Sequence, residues 1–98
     1  MKTNYQLQVI LKLKILRENK GYTQAEVAKT LGISPGQLGN IESPKMPHKF
    51  TLKQIYVLCE LLNVDIVDVF LSSDQKKTNI ETKLLIKQII EYQENESL

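Results

Sequence analysis

Apolar residues recur every three or four positions along most of this chain, and no stretch alternates with the period of two that marks a strand. Leu13 and Leu16, then Val27, Ala28 and Leu31, then Leu38 and Ile41, then Leu52, Ile55, Leu58, Cys59 and Leu62 fall on one face of successive short helices. The starts of these helices are legible in their capping residues. Thr23 with Glu26, Ser34 with Gln37, Thr51 with Gln54 and Thr78 with Glu81 each set a hydroxyl three residues ahead of a Glu or Gln. That is the spacing of the reciprocal capping box, and Asp65 is an N-cap lacking the second member. Together they predict helices over about Tyr5–Asn19, Gln24–Leu31, Pro35–Glu42, Leu52–Leu62, Ile66–Leu71 and Asn79–Glu94. Gly21 closes the first, and Pro35 stands at a first-turn position where its missing N–H costs nothing. The fold class is all-α, a bundle of five helices with an additional C-terminal helix.

Twenty residues from Gln24 to Ser43 (QAEVAKTLGISPGQLGNIES) define how two of these helices meet. Ala28 is small where they would cross, and Gly32 supplies the positive φ of a sharp turn. Leu38 and Ile41 give the second helix an apolar face to press on the first. This is a helix-turn-helix, spaced so that its second helix can lie in a DNA major groove. The stretch from about Leu13 to Phe70 resembles the family of lambda-type repressors and Cro, the Xre family. LKILRENKGYTQAEVAKTLGIS, the Ile41-Glu42 pair, Pro47 and TLKQIYVLCELLNVDIVDVF carry the likeness. It implies a lambda-repressor-like bundle, a phosphate contact from Gln24, and a structural pair between Arg17 of the first helix and Glu42 ending the third.

The predicted domains are a DNA-binding unit over residues 1–71, a polar linker over 72–77 and a C-terminal helix over 78–98. On that last helix Leu85, Ile86, Ile89, Ile90 and Tyr92 form an apolar stripe opposite Lys83, Lys87, Gln88, Glu91 and Glu94. Two fates are open to it: folding back on its own domain, or pairing with a second subunit or another protein. A detached stripe beyond a complete small domain needs a partner surface, so dimerisation or partner binding is the expectation. Leu7, Val9, Ile10 and Leu11, upstream on the first helix, are a candidate counter-surface.

Charge changes the picture through its distribution rather than its sum of +2. Residues 1–50 hold eight Lys/Arg against three Glu, and residues 51–98 hold five Lys against eight Asp/Glu. The basic half therefore contains the helix-turn-helix, which would orient that face toward phosphates. No apolar run approaches the roughly 20 residues that span a membrane. The Leu7–Leu16 region is interrupted by Lys12 and Lys14 and lacks the cleavage site of a signal peptide. The single cysteine, Cys59, cannot form an internal disulfide, so a reducing cytoplasm is the expected setting, in association with the nucleoid. His48 stands alone, so neither a metal site nor a cofactor is expected, and no nucleophile–base set points to an enzyme.

The third helix carries the candidate base readers. Gln37 and Asn40 can pair bidentately with adenine, each good pair supplying about 1–3 kcal/mol of discrimination. Gln37 is also the capping partner of Ser34, which sets reading against capping. Gly36 and Gly39 occupy the same face, where bare backbone can approach DNA closely. Pro35 and Gly36 stand where family members commonly place long polar side chains, so direct readout is thin and DNA shape gains weight. Thr23, Gln24 and Ser34 at helix N-termini are candidate phosphate contacts. Lys45 and Lys49 in the loop after Glu42 are a second phosphate-contacting edge. The function these residues support is a sequence-specific, DNA-binding transcriptional regulator, a repressor on a two-half-site operator as a homodimer. The alternative is a protein-interaction module, or an antitoxin whose C-terminal helix binds a partner.

Overall fold

Four helices open on a reciprocal capping box in the computed structural model, which describes residues 1–77 and 81–94. In chain order they are Asn4–Asn19 (α1), Gln24–Leu31 (α2), Pro35–Glu42 (α3), Leu52–Leu62 (α4), Ile66–Phe70 (α5) and Glu81–Gln93 (α6), with a 3₁₀ turn at Gln75–Lys77 before α6. The boxes at Thr23, Ser34 and Thr51 sit where the sequence puts them. A fourth, Thr3 with Gln6, opens α1, and Asp65 Oδ1 accepts from the Val67 amide at the start of α5. The Thr78–Glu81 box expected for the last helix lies outside the described residues. Gly32 ends α2 at φ 72°, a left-handed conformation that a Cβ would strain.

The core lies where α2 packs on α3 and α4 and where α1 packs on α3, α5 and α6. Val27, Ala28, Leu38, Ile55 and Leu62 are fully enclosed. Val9, Ile10 and Phe50 join them. Val9 and Ile10, a candidate counter-surface for a second chain, are therefore buried within this one. Among the described residues there is no strand, and no helix is long and apolar enough to cross a membrane.

The C-terminal helix folds back on its own bundle, and this corrects the placement of Tyr92 on a stripe for another chain. Tyr92 is 1% exposed, set edge-on to Phe70 with ring centroids 5.8 Å apart. Its hydroxyl donates to the Phe50 carbonyl at 2.8 Å, which meets the demand of a buried phenol for a partner. Leu85 and Ile89 pack half-buried against the same core, while Ile86 and Ile90 stay exposed. The segment expected as a linker is itself folded. Ser72 and Gln75 exchange two hydrogen bonds, and Lys76 meets Asp68 at 2.6 Å.

Long side chains from elsewhere in the chain close the open C-termini of three helices. Tyr5 Oη donates to the Phe70 carbonyl at 2.6 Å, and Lys12 Nζ to those of Asp68 and Val69, at the end of α5. Gln6 Nε2 donates to the carbonyls of Tyr92 and Glu94, at 2.6 and 2.8 Å, at the end of α6. Lys2 does the same for α3. Each donor meets the negative end of a helix dipole. Every buried side-chain nitrogen or oxygen among the described residues has a hydrogen-bond partner.

Candidate nucleic-acid interface

Helix α3 is short, contains two glycines and has no basic residue in its last turn, so its rigidity must come from its surroundings. Leu38 and Ile41 anchor its inner face in the core. At its C-terminal end Glu42 is buried and takes a fork-to-fork pair from Arg17: Nε to Oε2 at 2.8 Å and Nη2 to Oε1 at 3.0 Å. The remaining Arg17 nitrogen donates to the Tyr22 carbonyl at 2.8 Å. This bidentate geometry suits a planar guanidinium and holds α3 against α1.

Lys2 completes the clamp. Its ammonium, on a residue only 7% exposed, donates to the carbonyls of Ile41 at 2.6 Å and Ser43 at 2.7 Å. Burial lowers its pKa below the ordinary lysine value. In the sequence Lys2 is one more basic residue; its distance along the chain from α3 hides the contact.

The outer face of α3 carries Gly36, Gln37, Gly39 and Asn40. Gln37 is exposed, and its Oε1 accepts from the Ser34 amide at 2.8 Å, so the side chain caps its own helix. Asn40 is half-buried. Gln37, Asn40, His48 and Lys49, with Thr51 and Gln54 at the start of α4, line a groove of about 350 Å³. Lys45 is exposed in the adjoining loop.

Four expected phosphate contacts are engaged within the molecule. Gln24 Nε2 donates to Glu42 Oε1 at 2.9 Å rather than standing free. The Thr23 hydroxyl donates to Glu26 Oε1 and accepts from the Glu26 amide. The Thr23 amide and hydroxyl together hold the Glu26 carboxyl below its ordinary pKa, placing a carboxylate at the N-terminus of α2. Lys49 Nζ lies 3.4 and 3.3 Å from the carbonyls of Tyr92 and Gln93 and 5.5 Å from the centre of the Tyr92 ring, turned toward the end of α6. Ser34 is engaged in the same way, its amide donating to Gln37 Oε1 and its hydroxyl accepting from the Gln37 amide, so it caps α3 at the exposed helix entry.

Two helices set across a tight turn, the second clamped at its inner face and offering a bare outer one, have the form of a helix-turn-helix. The helix-turn-helix domain family matches residues 11–75 of the chain. The chain belongs to that family. No curated protein and no solved structure is significantly similar to it. The family match makes this a DNA-binding type of domain, in which α3 is the second helix of the helix-turn-helix. Among the described residues no group of His, Cys, Asp and Glu is placed to hold a metal ion.

Proposed function

We propose that this protein is a sequence-specific, DNA-binding transcriptional regulator that represses by occupying promoter DNA, with two copies on a two-half-site operator. The observation that carries the reading is the clamped reading helix. Arg17 and Lys2 both serve to hold α3 still while its outer face is left to Gly36, Gln37, Gly39 and Asn40. Base reading falls to Gln37 and Asn40, with the groove beside them facing the phosphate backbone. Lys45, exposed in the loop, is the expected phosphate contact whose side chain is not engaged in capping or clamping a helix, whereas Ser34 caps α3. The setting is the cytoplasm, on the nucleoid.

A second reading, a protein-interaction module or antitoxin, draws on the same geometry. Gln24 and Gln37 are engaged in internal hydrogen bonds, and Ile86 and Ile90 are exposed. Selection from a random duplex pool at physiological salt separates the two readings, with wild type beside Gln37→Ala/Asn40→Ala. A palindromic motif that the double variant loses supports the regulator. Uniform, salt-sensitive binding with no motif supports the interaction module.

A further inference from the structure

Helix α6 is amphipathic twice over. Gln88 and Tyr92 face inward with Leu85 and Ile89 beside them, while Ile86 and Ile90, one turn apart, are each 53% exposed on the opposite side. Along one edge of this exposed strip run Lys83 and Lys87 in the N-terminal half, then Glu91 and Glu94 toward the C-terminus, all exposed. The other edge carries Thr82 and Gln93, exposed and uncharged.

The order of the charges is the reverse of what an isolated helix favours. The helix dipole, and the preference for Glu four residues before Lys, would both put acids first. Here Lys87 precedes Glu91 by four residues. The pattern is instead complementary to itself when a second copy runs the opposite way, because a twofold axis across the helices then lays like edge on like edge. A parallel twofold neighbour would set each charged edge against the uncharged edge of the other copy and leave the charges unpaired.

We propose that a second copy of this chain docks on this strip, with the two α6 helices antiparallel about a twofold axis. Ile86 and Ile90 of both copies form the seam, and Lys83 and Lys87 of each copy face Glu94 and Glu91 of the other. The opposite edge then sets Thr82 of one copy beside Gln93 of the other, with no like charges in contact. This arrangement is isologous, the same patch serving both subunits. A helix of thirteen residues is only about 20 Å long. The pair therefore buries less than the roughly 1,200 Å² of a standard stable interface. The dimer is accordingly weak alone and strengthened when two half-sites raise the local concentration of the copies. The inference rests on the dimeric reading above and is tested without DNA, so its failure is distinct from a failure to bind an operator.

Sedimentation equilibrium of the full chain tests it with two variants. Ile86→Lys/Ile90→Lys removes the seam at exposed positions, so the fold, checked by circular dichroism, persists while self-association weakens about tenfold or more. The fourfold exchange Lys83→Glu/Lys87→Glu/Glu91→Lys/Glu94→Lys reverses the edge. An antiparallel pair of the exchanged chain retains its complementarity, so it self-associates as wild type does. Mixed with wild type it meets lysine with lysine and glutamate with glutamate, so mixed dimers are depleted in native mass spectra. A wild type that stays monomeric at every concentration overturns the proposal, as does self-association indifferent to the isoleucine substitutions. Mixed dimers at or above their statistical share overturn the antiparallel arrangement.

Discussion

Gln24 Nε2 donates to Glu42 Oε1 at 2.9 Å, tying the first residue of α2 to the last residue of α3. Glu42 therefore receives three donors, two of them from Arg17. A carboxylate this buried is tolerable only because its oxygens are so well satisfied. The two helices are thus tied at one end by a charge-assisted hydrogen bond, beside the Arg17 pair that holds the same carboxylate.

Removing one member of the pair leaves a buried charge without its partner. Arg17→Met is expected to cost about 3–5 kcal/mol of folding stability in urea titrations. Arg17→Met/Glu42→Met should recover much of that loss, since two apolar side chains need no partners. Gln24→Ala removes a single donor, and its expected cost is about 1 kcal/mol.

Gly36 and Gly39 are not demanded by packing. Neither has a positive φ, and a Cβ at either would meet nothing closer than 3.9 Å. Gly36→Ala and Gly39→Ala should each stabilise the fold by about 0.4–1 kcal/mol, by restricting the unfolded chain. If α3 lies with its backbone against DNA, the same variants bind the selected duplex more weakly. Urea titration and DNA titration of each variant should move in opposite directions.

Lys2→Met withdraws the ammonium from the carbonyls of Ile41 and Ser43. The expected loss is about 1–3 kcal/mol, the cost of leaving such groups unpaired. Hydrogen exchange should speed at the Ser43 amide, which donates to the Gly39 carbonyl in the same turn. Lys2→Arg, still a cation with donors, should restore part of the protection.

Alkaline pH should loosen the core at α4 and α6. Burial pushes the Cys59 thiol from 9.0 up to about 11, with the charges of Asp65 and Glu60 adding to the shift. Burial also raises the Tyr92 phenol above its ordinary value of 10.0. Each folded-state pKa is raised, so the native chain holds these protons when the unfolded chain releases them. Their contribution is complete below about pH 9 and is lost as pH rises through 11 and beyond. Urea midpoints measured from pH 7 to 11 should fall only above pH 9, and Cys59→Ala should delay the onset toward the tyrosine range.

The sequence shows the helices so clearly because their caps are local. Thr23, Ser34 and Thr51 each bond residues three positions away, a relation visible in the letters themselves. Ala28, Leu38 and Ile41 follow the period of one helix face. What lies hidden is the long-range chemistry. α1 buries Gln6 and Arg17 while exposing Leu11 and Ile15, so its apolar pattern does not mark its inner face. Lys2, Lys12 and Lys49 read as surface charge, yet each reaches carbonyls at a helix end contributed by a distant part of the chain. Tyr92 looks like the end of a free stripe because nothing near it in sequence announces Phe50 and Phe70.

The grip of Gln6 on the carbonyls of Tyr92 and Glu94 also bears on how the chain is made. Helices α2, α3 and α4 pack on near neighbours in sequence and can assemble as they leave the ribosome. The first helix, already synthesised, must wait for the last before this contact can close. Until residue 94 has emerged, Phe70 lacks its edge-on aromatic cover and the Phe50 carbonyl its hydroxyl donor, and the nascent protein exposes that patch to the cell.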